Sequence, residues 1–132
     1  MKNIVLFVFV FFLSSIVTAQ SLVGVWELDS GEYIDGDGQL VDYSGLGFKS
    51  LKIISNSHFS FTSMKGDKFW ASGSGTYKVK DGKYTEKLKF NSFGEESGSE
   101  FVFDVKIEGK YWYSSRWESG VRVEYEVWHK VE

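Results

Sequence analysis

The sequence predicts an all-β chain that closes into a small antiparallel β-barrel of about eight to ten strands. Apolar and polar residues alternate with a period of two through most of the chain, and no segment keeps a helical period beyond the first 19 residues. Glycine-containing turns recur at short intervals, and no proline stands anywhere to bar ladder pairing. So many short strands in so short a chain leave two packings, a closed barrel or a tight sandwich. The chain has no cysteine, so stability must come from apolar packing and β-ladder hydrogen bonds.

Met1 to Ala19 has the three parts of an export signal. Lys2 supplies the initial charge, Ile4–Leu13 the apolar run, and Val17 and Ala19 the small or short side chains before Gln20. The run is short for a membrane span and no strongly basic flank follows it, so a cleaved segment is expected and a membrane span is not. Without cysteine there is no lipoprotein anchor, and the product is expected to be soluble, periplasmic or secreted. Residues 20–132 then form one domain of about 113 residues, enough to bury about two-thirds of the unfolded surface. With Lys2 removed, 14 basic side chains face 18 acidic ones. This mildly acidic balance argues against nucleic acid as a partner.

The strands expected in order are Leu22–Leu28, Gln39–Tyr43, Lys49–Ser55, His58–Met64, Phe69–Gly73, Gly75–Lys80, Lys83–Phe90, Glu100–Glu108, Lys110–Glu118 and Arg122–Val131. Between the first two, Asp35-Gly36-Asp37-Gly38 mimics part of a calcium loop but lacks its remaining ligands, and it reads as a turn. Asp81-Gly82 is a two-residue hairpin signal that sets Lys80 against Lys83, Val79 against Tyr84 and Tyr77 against Glu86. One face of that hairpin carries Lys78, Lys80, Lys83, Lys87 and Lys89 and is solvated. The other carries Tyr77, Val79, Tyr84, Leu88 and Phe90, so Glu86 points inward with them.

A second hairpin at Glu108-Gly109 places Phe101, Phe103, Val105 and Ile107 opposite Arg116, Ser114, Trp112 and Lys110. The last strand puts Val121, Val123, Tyr125 and Val127 on its apolar face. A slip of one residue at the Glu118–Val121 turn would exchange the two faces. In this register Tyr111, Tyr113, Trp117 and Trp128 form an outer aromatic patch, which a loop covers or which meets a protein partner or a second copy.

The candidate ligand-binding residues are therefore Phe59, Phe61, Tyr77, Tyr84, Glu86, Phe103, Trp112, Arg116 and Tyr125. A carboxylate on an apolar face must be hydrogen-bonded, paired or protonated, so Glu86 either orients a ligand or bonds a neighbouring tyrosine or Arg116. Arg116 is the one arginine placed inside, where its planar fork suits a ligand carboxylate or the face of an indole. The rings either fill the barrel or leave a slot for a greasy molecule. His58 and His129 are not at metal-site spacing with other ligands, and no catalytic triad order or cofactor fingerprint is present, so no metal, no cofactor and no catalysis are expected.

Gly24-Val25-Trp26, His58-Phe59, Gly75-Thr76-Tyr77, Tyr84-Thr85-Glu86, Lys110-Tyr111-Trp112-Tyr113 and Glu126-Val127-Trp128, taken in order, resemble the calycin-type barrels, and more closely the small lipocalin-like domains of exported bacterial proteins. The resemblance implies an antiparallel barrel of about eight strands with a central pocket for a small hydrophobic or amphipathic molecule. It also implies that Gly24 bends the backbone at the closed end and that Trp26 plugs that end beneath an arginine, Arg116 in preference to Arg122. The function expected is non-catalytic binding of such a molecule. The alternative is a side-chain-filled barrel that binds a protein through its outer aromatics.

Overall fold

The computed structural model describes residues 16–132. The export-signal reading falls mostly on residues 1–15, outside those described. The described chain runs through a short helix α1 (Ala19–Leu22) and nine strands: β1 (Gly24–Ile34), β2 (Leu40–Asp42), β3 (Phe48–Ile54), β4 (His58–Lys65), β5 (Lys68–Lys80), β6 (Lys83–Asn91), β7 (Glu100–Glu108), β8 (Tyr111–Glu118) and β9 (Val121–Lys130). One 3₁₀ turn, Tyr43–Leu46, links β2 to β3. No helix among the described residues is long and apolar enough to cross a membrane.

Each strand pairs with its neighbour in an antiparallel meander, and β9 returns to β1, so eight strands close a barrel with β2 as an extra strand on the far half of β1. Closure removes the free edges that a small sheet would otherwise expose. The architecture is the closed antiparallel barrel that the sequence predicts. Phe69–Gly73 and Gly75–Lys80, expected as two strands, are a single bent β5.

The Asp81-Gly82 turn has positive φ at both residues and sets the register read from the sequence, Lys80 against Lys83 and Tyr77 against Glu86. Its lysine face is exposed and Glu86 is buried inside. The β7–β8 turn lies one residue later than expected, so Ile107 meets Trp112 instead of Lys110. The resulting slip is an even number of residues, so every side chain keeps its face.

β-Bulges interrupt the ladders in four places, and two of them overturn faces read from the sequence. Between Arg116 and Trp117 on one side and Arg122 and Glu124 on the other, β9 carries an extra residue, Val123. Beyond it the faces exchange. Glu124, Glu126 and Trp128 point inward, and Tyr125, expected inside, lies on the outer face under the Arg122 guanidinium. Trp128 leaves the outer aromatic patch, which retains Tyr111, Tyr113 and Trp117. A bulge at Lys89 likewise turns Phe90 out into solvent.

The closed half is filled. Trp26 is buried and donates its indole N–H to the Leu22 carbonyl at 2.8 Å, so α1 sits across the barrel end as a plug. Thr18 and Ser21 cap α1 reciprocally, and Val17 and Ala19 pack against the same core. Trp26 meets Trp112 edge-on at 5.4 Å, and Tyr84 meets Trp112 at 5.1 Å and Tyr77 at 5.4 Å. Gly24 has φ +142°, and a Cβ there would lie 2.3 Å from the Glu132 carbonyl oxygen, so only glycine lets the last residues close over the first strand. The cation over Trp26 is the Lys130 ammonium at 5.6 Å, directly across the ladder, and not Arg116 or Arg122. Arg116 lies at the open end and Arg122 pairs with Glu32 outside.

Trp26→Ala is expected to cost about 3–5 kcal/mol in urea unfolding, the range for deleting a core aromatic. Lys78→Gln and Lys87→Gln on the exposed face should each shift stability by less than about 0.5 kcal/mol.

Candidate functional site

Above the filled half the barrel is open. A cavity of about 450 Å³ lies between the strands and reaches solvent at the end formed by the last residues of β1 and β8 and the first of β3, β5 and β7. Its volume comes from side-chain size. The wall formed by β3, β4 and β5 presents Ser50, Ser63 and Ala71, while the facing wall carries Leu88, Phe101, Phe103 and Arg116. Ser50 and Ser63 satisfy each other across the ladder at 2.7 Å. Phe48, Trp70 and Phe93 stand at the mouth.

The Tyr43 ring also lines the cavity, at the position where a Cβ on Gly31 would lie 2.7 Å from it, so that glycine makes the space. Burial, then the carboxyls of Glu126 and Glu124, push the Tyr43 hydroxyl far above its ordinary pKa. It stays a neutral donor and acceptor at any working pH.

The floor is charged. Lys52 on β3 and Glu86 on β6 reach across the barrel to 3.4 Å, both nearly inaccessible. Tyr84 donates its hydroxyl to the same Glu86 oxygen at 3.0 Å, and burial together with that carboxylate raises the Tyr84 pKa well above the ordinary value. The Lys52 ammonium faces the rings of Trp128 at 4.6 Å, Trp112 at 4.9 Å and Tyr84 at 5.8 Å. Three π faces and one carboxylate thus replace its water shell. The indole N–H groups of Trp112 and Trp128 have no acceptor, a loss of about 1–3 kcal/mol each. Cation–π contact of the two rings with Lys52 offsets part of it.

Higher on the wall, Arg116 holds Glu124 at 3.1 Å and Glu118 at 2.5 Å, with its guanidinium over the Phe101 ring. Glu126 lies between this group and the floor. Burial first, then the charge of Glu124, raise the Glu126 pKa well above the carboxylate range, and Lys52 offsets only part of this.

Of the residues selected from the sequence, Phe61, Glu86, Phe103 and Arg116 line the cavity. Phe59, Tyr77, Tyr84 and Trp112 are buried in the closed half beneath it, and Tyr77 is fixed there by donating its hydroxyl to the Ser55 carbonyl at 2.6 Å. Tyr125 is outside. Glu86 is paired with Lys52 and Tyr84, and Arg116 with glutamates of its own end. Lys52, Glu124, Glu126 and Tyr43 are the site residues that sequence reasoning missed. The signal for Lys52 was its β1 partner, since it stands directly opposite Trp26 and must share its face.

Lys52→Met is expected to destabilise the fold by about 3–5 kcal/mol, because it strands the Glu86 charge. Adding Glu86→Gln should recover most of that loss in the same urea titrations. For Glu126 the sign follows from its raised pKa. Folding binds a proton there, so its contribution to stability falls as pH rises from the ordinary carboxylate range through the raised value, and the penalty is complete above it. Glu126→Gln should therefore match the wild type in acid and exceed it increasingly toward neutral pH, as unfolding at a series of pH values will read.

No protein-family model matches the chain, and none of the curated proteins does. Among solved structures it is similar to an uncharacterized protein from Bacteroides eggerthii, with 20% identity and a TM-score of 0.50 over 82% of this chain and 98% of that one. A de novo designed fluorescence-activating β-barrel aligns with 13% identity and a TM-score of 0.49 over 85% of this chain and 95% of the design. The likeness to the Bacteroides eggerthii protein is one of fold.

Proposed function

We propose that this chain is an exported, non-catalytic binding protein that takes a small amphipathic molecule into the open half of its barrel. One observation carries the reading: a cavity of about 450 Å³ with rings at its mouth and an ion pair at its floor, inside a barrel whose other half is packed solid. A volume of this order suits a molecule of modest size with an apolar body and a polar end. The strand-borne cations of the cavity support binding over chemistry, since Lys52 and Arg116 are tied to carboxylates in fixed geometry. Export is supported by the order of charge, apolar run and small residues in Met1–Ala19, and the periplasm or the medium is the proposed location. The lipocalin-like resemblance of the sequence motifs points the same way.

The test is native mass spectrometry of the purified protein, where a mass in excess of the chain that disappears on denaturation is expected. Ala71→Trp places an indole in the cavity from the wall that small residues keep open. That variant should fold and lose the extra mass, whereas a variant that keeps it would move the ligand elsewhere on the molecule.

A further inference from the structure

We propose that the molecule held in this cavity carries a protonated amine at its buried end, which pairs with Glu126 while the apolar body runs between the rings toward the mouth. This rests on the binding reading above and names the chemical class of the ligand.

The argument is one of charge placement. The groups that face Glu126 are Glu124 on its own strand, Lys52 from β3, Glu86 from β6, Arg116 from β8, and the hydroxyls of Tyr33 from β1 and Tyr43 from the 3₁₀ turn. Both cations in this set are already engaged. Lys52 lies 3.4 Å from Glu86 within its three rings, and Arg116 lies 3.1 Å from Glu124 and 2.5 Å from Glu118. Glu126 therefore faces the cavity hydrogen-bonded to Glu124 but with no ion-pair partner among the described residues.

A ligand carboxylate placed there would stand beside the Glu124 charge and drive Glu126 further toward its acid form. An uncharged head would leave Glu126 protonated and gain one ordinary hydrogen bond. An ammonium supplies the missing countercharge and three donors. Burial and Glu124 favour the acid form of Glu126, so an ammonium that pairs with its carboxylate displaces a proton. The Glu126 carboxyl gives its proton to solvent as the ammonium takes its place, so one cation enters and one leaves.

The test compares decylamine, decanol and decanoate, which share one tail, by isothermal titration at pH 7 in two buffers of different ionisation enthalpy. Decylamine is expected to bind about ten-fold or more tightly than decanol, the scale of one charge-assisted hydrogen bond, with decanoate weakest. Its heat should depend on the buffer, reporting proton release, while that of decanol should not. Glu126→Gln should bring decylamine to the level of decanol and abolish the release. Glu100→Gln, an exposed carboxylate on the outer face of β7, should leave the preference intact.

Decanol or decanoate binding as tightly as decylamine, or an unchanged preference in Glu126→Gln, would overturn the amine assignment and leave the binding reading standing. Failure of all three probes would overturn both. Were Glu126→Gln not to fold, the buffer dependence of the wild-type heats alone decides.

Discussion

The buried Lys52 ammonium is the constraint around which the barrel is arranged. An amine in an apolar interior costs several kcal/mol unless its water is replaced group for group. Here Glu86 comes from the opposite wall, and Tyr84, Trp112 and Trp128 turn their faces to the charge. That requirement fixes the inward faces of β3, β6, β8 and β9 at one level of the barrel. Below this level the rings can pack against one another and against Trp26. Above it rings and polar side chains share the wall, and the small side chains of β3 to β5 leave room. The ion pair is thus both the lid of the packed core and the floor of the cavity.

How far the sequence could be read depended on the distance over which a register must be carried. Where a two-residue turn joins two strands the reading was local and held, so Tyr77, Tyr84 and Glu86 were placed inside from Asp81-Gly82 alone. At the β8–β9 turn the same reasoning failed. The turn, ambiguous in length from the sequence, takes two residues with positive φ at Ser119 and Gly120, but Val123 is then inserted without a partner. A single bulge exchanges all later faces, so Tyr125 went in and Trp128 and Glu126 went out. Hydropathy could not correct this, because Val123, Tyr125 and Val127 look more like core than Glu124 and Glu126 do.

Lys52 was hidden for a different reason. Its strand presents Leu51 and Ile53 to solvent, both considerably exposed, while Ser50 and Lys52 face inward. On composition alone that strand faces the wrong way. What orients it is the long-range ladder to β1, which puts Trp26 opposite Lys52, and the intervening β2 hairpin conceals that register from local pattern. The fold was legible because it rests on many short-range signals. The site was legible in Phe61, Phe103, Glu86 and Arg116, whereas Lys52, Glu124 and Glu126 sit where pairing across the barrel or a bulge overrides the preference of the residue.

The two halves of this barrel are also a control for one another. The chain can fill an interior completely, as Trp26, Phe59, Tyr77, Tyr84 and Trp112 do at the closed end. A barrel selected only for stability would extend that packing, since replacing buried ion pairs by apolar side chains of similar volume is often neutral or stabilising. Instead the other half keeps Ser50, Ser63 and Ala71 on one wall and sets Glu124 and Glu126 together on another, where the second is driven toward its acid form. Open volume, small side chains and a carboxyl without a countercharge each weaken the fold. That they coincide in one compartment favours selection for something placed inside it, because packing alone would remove all three.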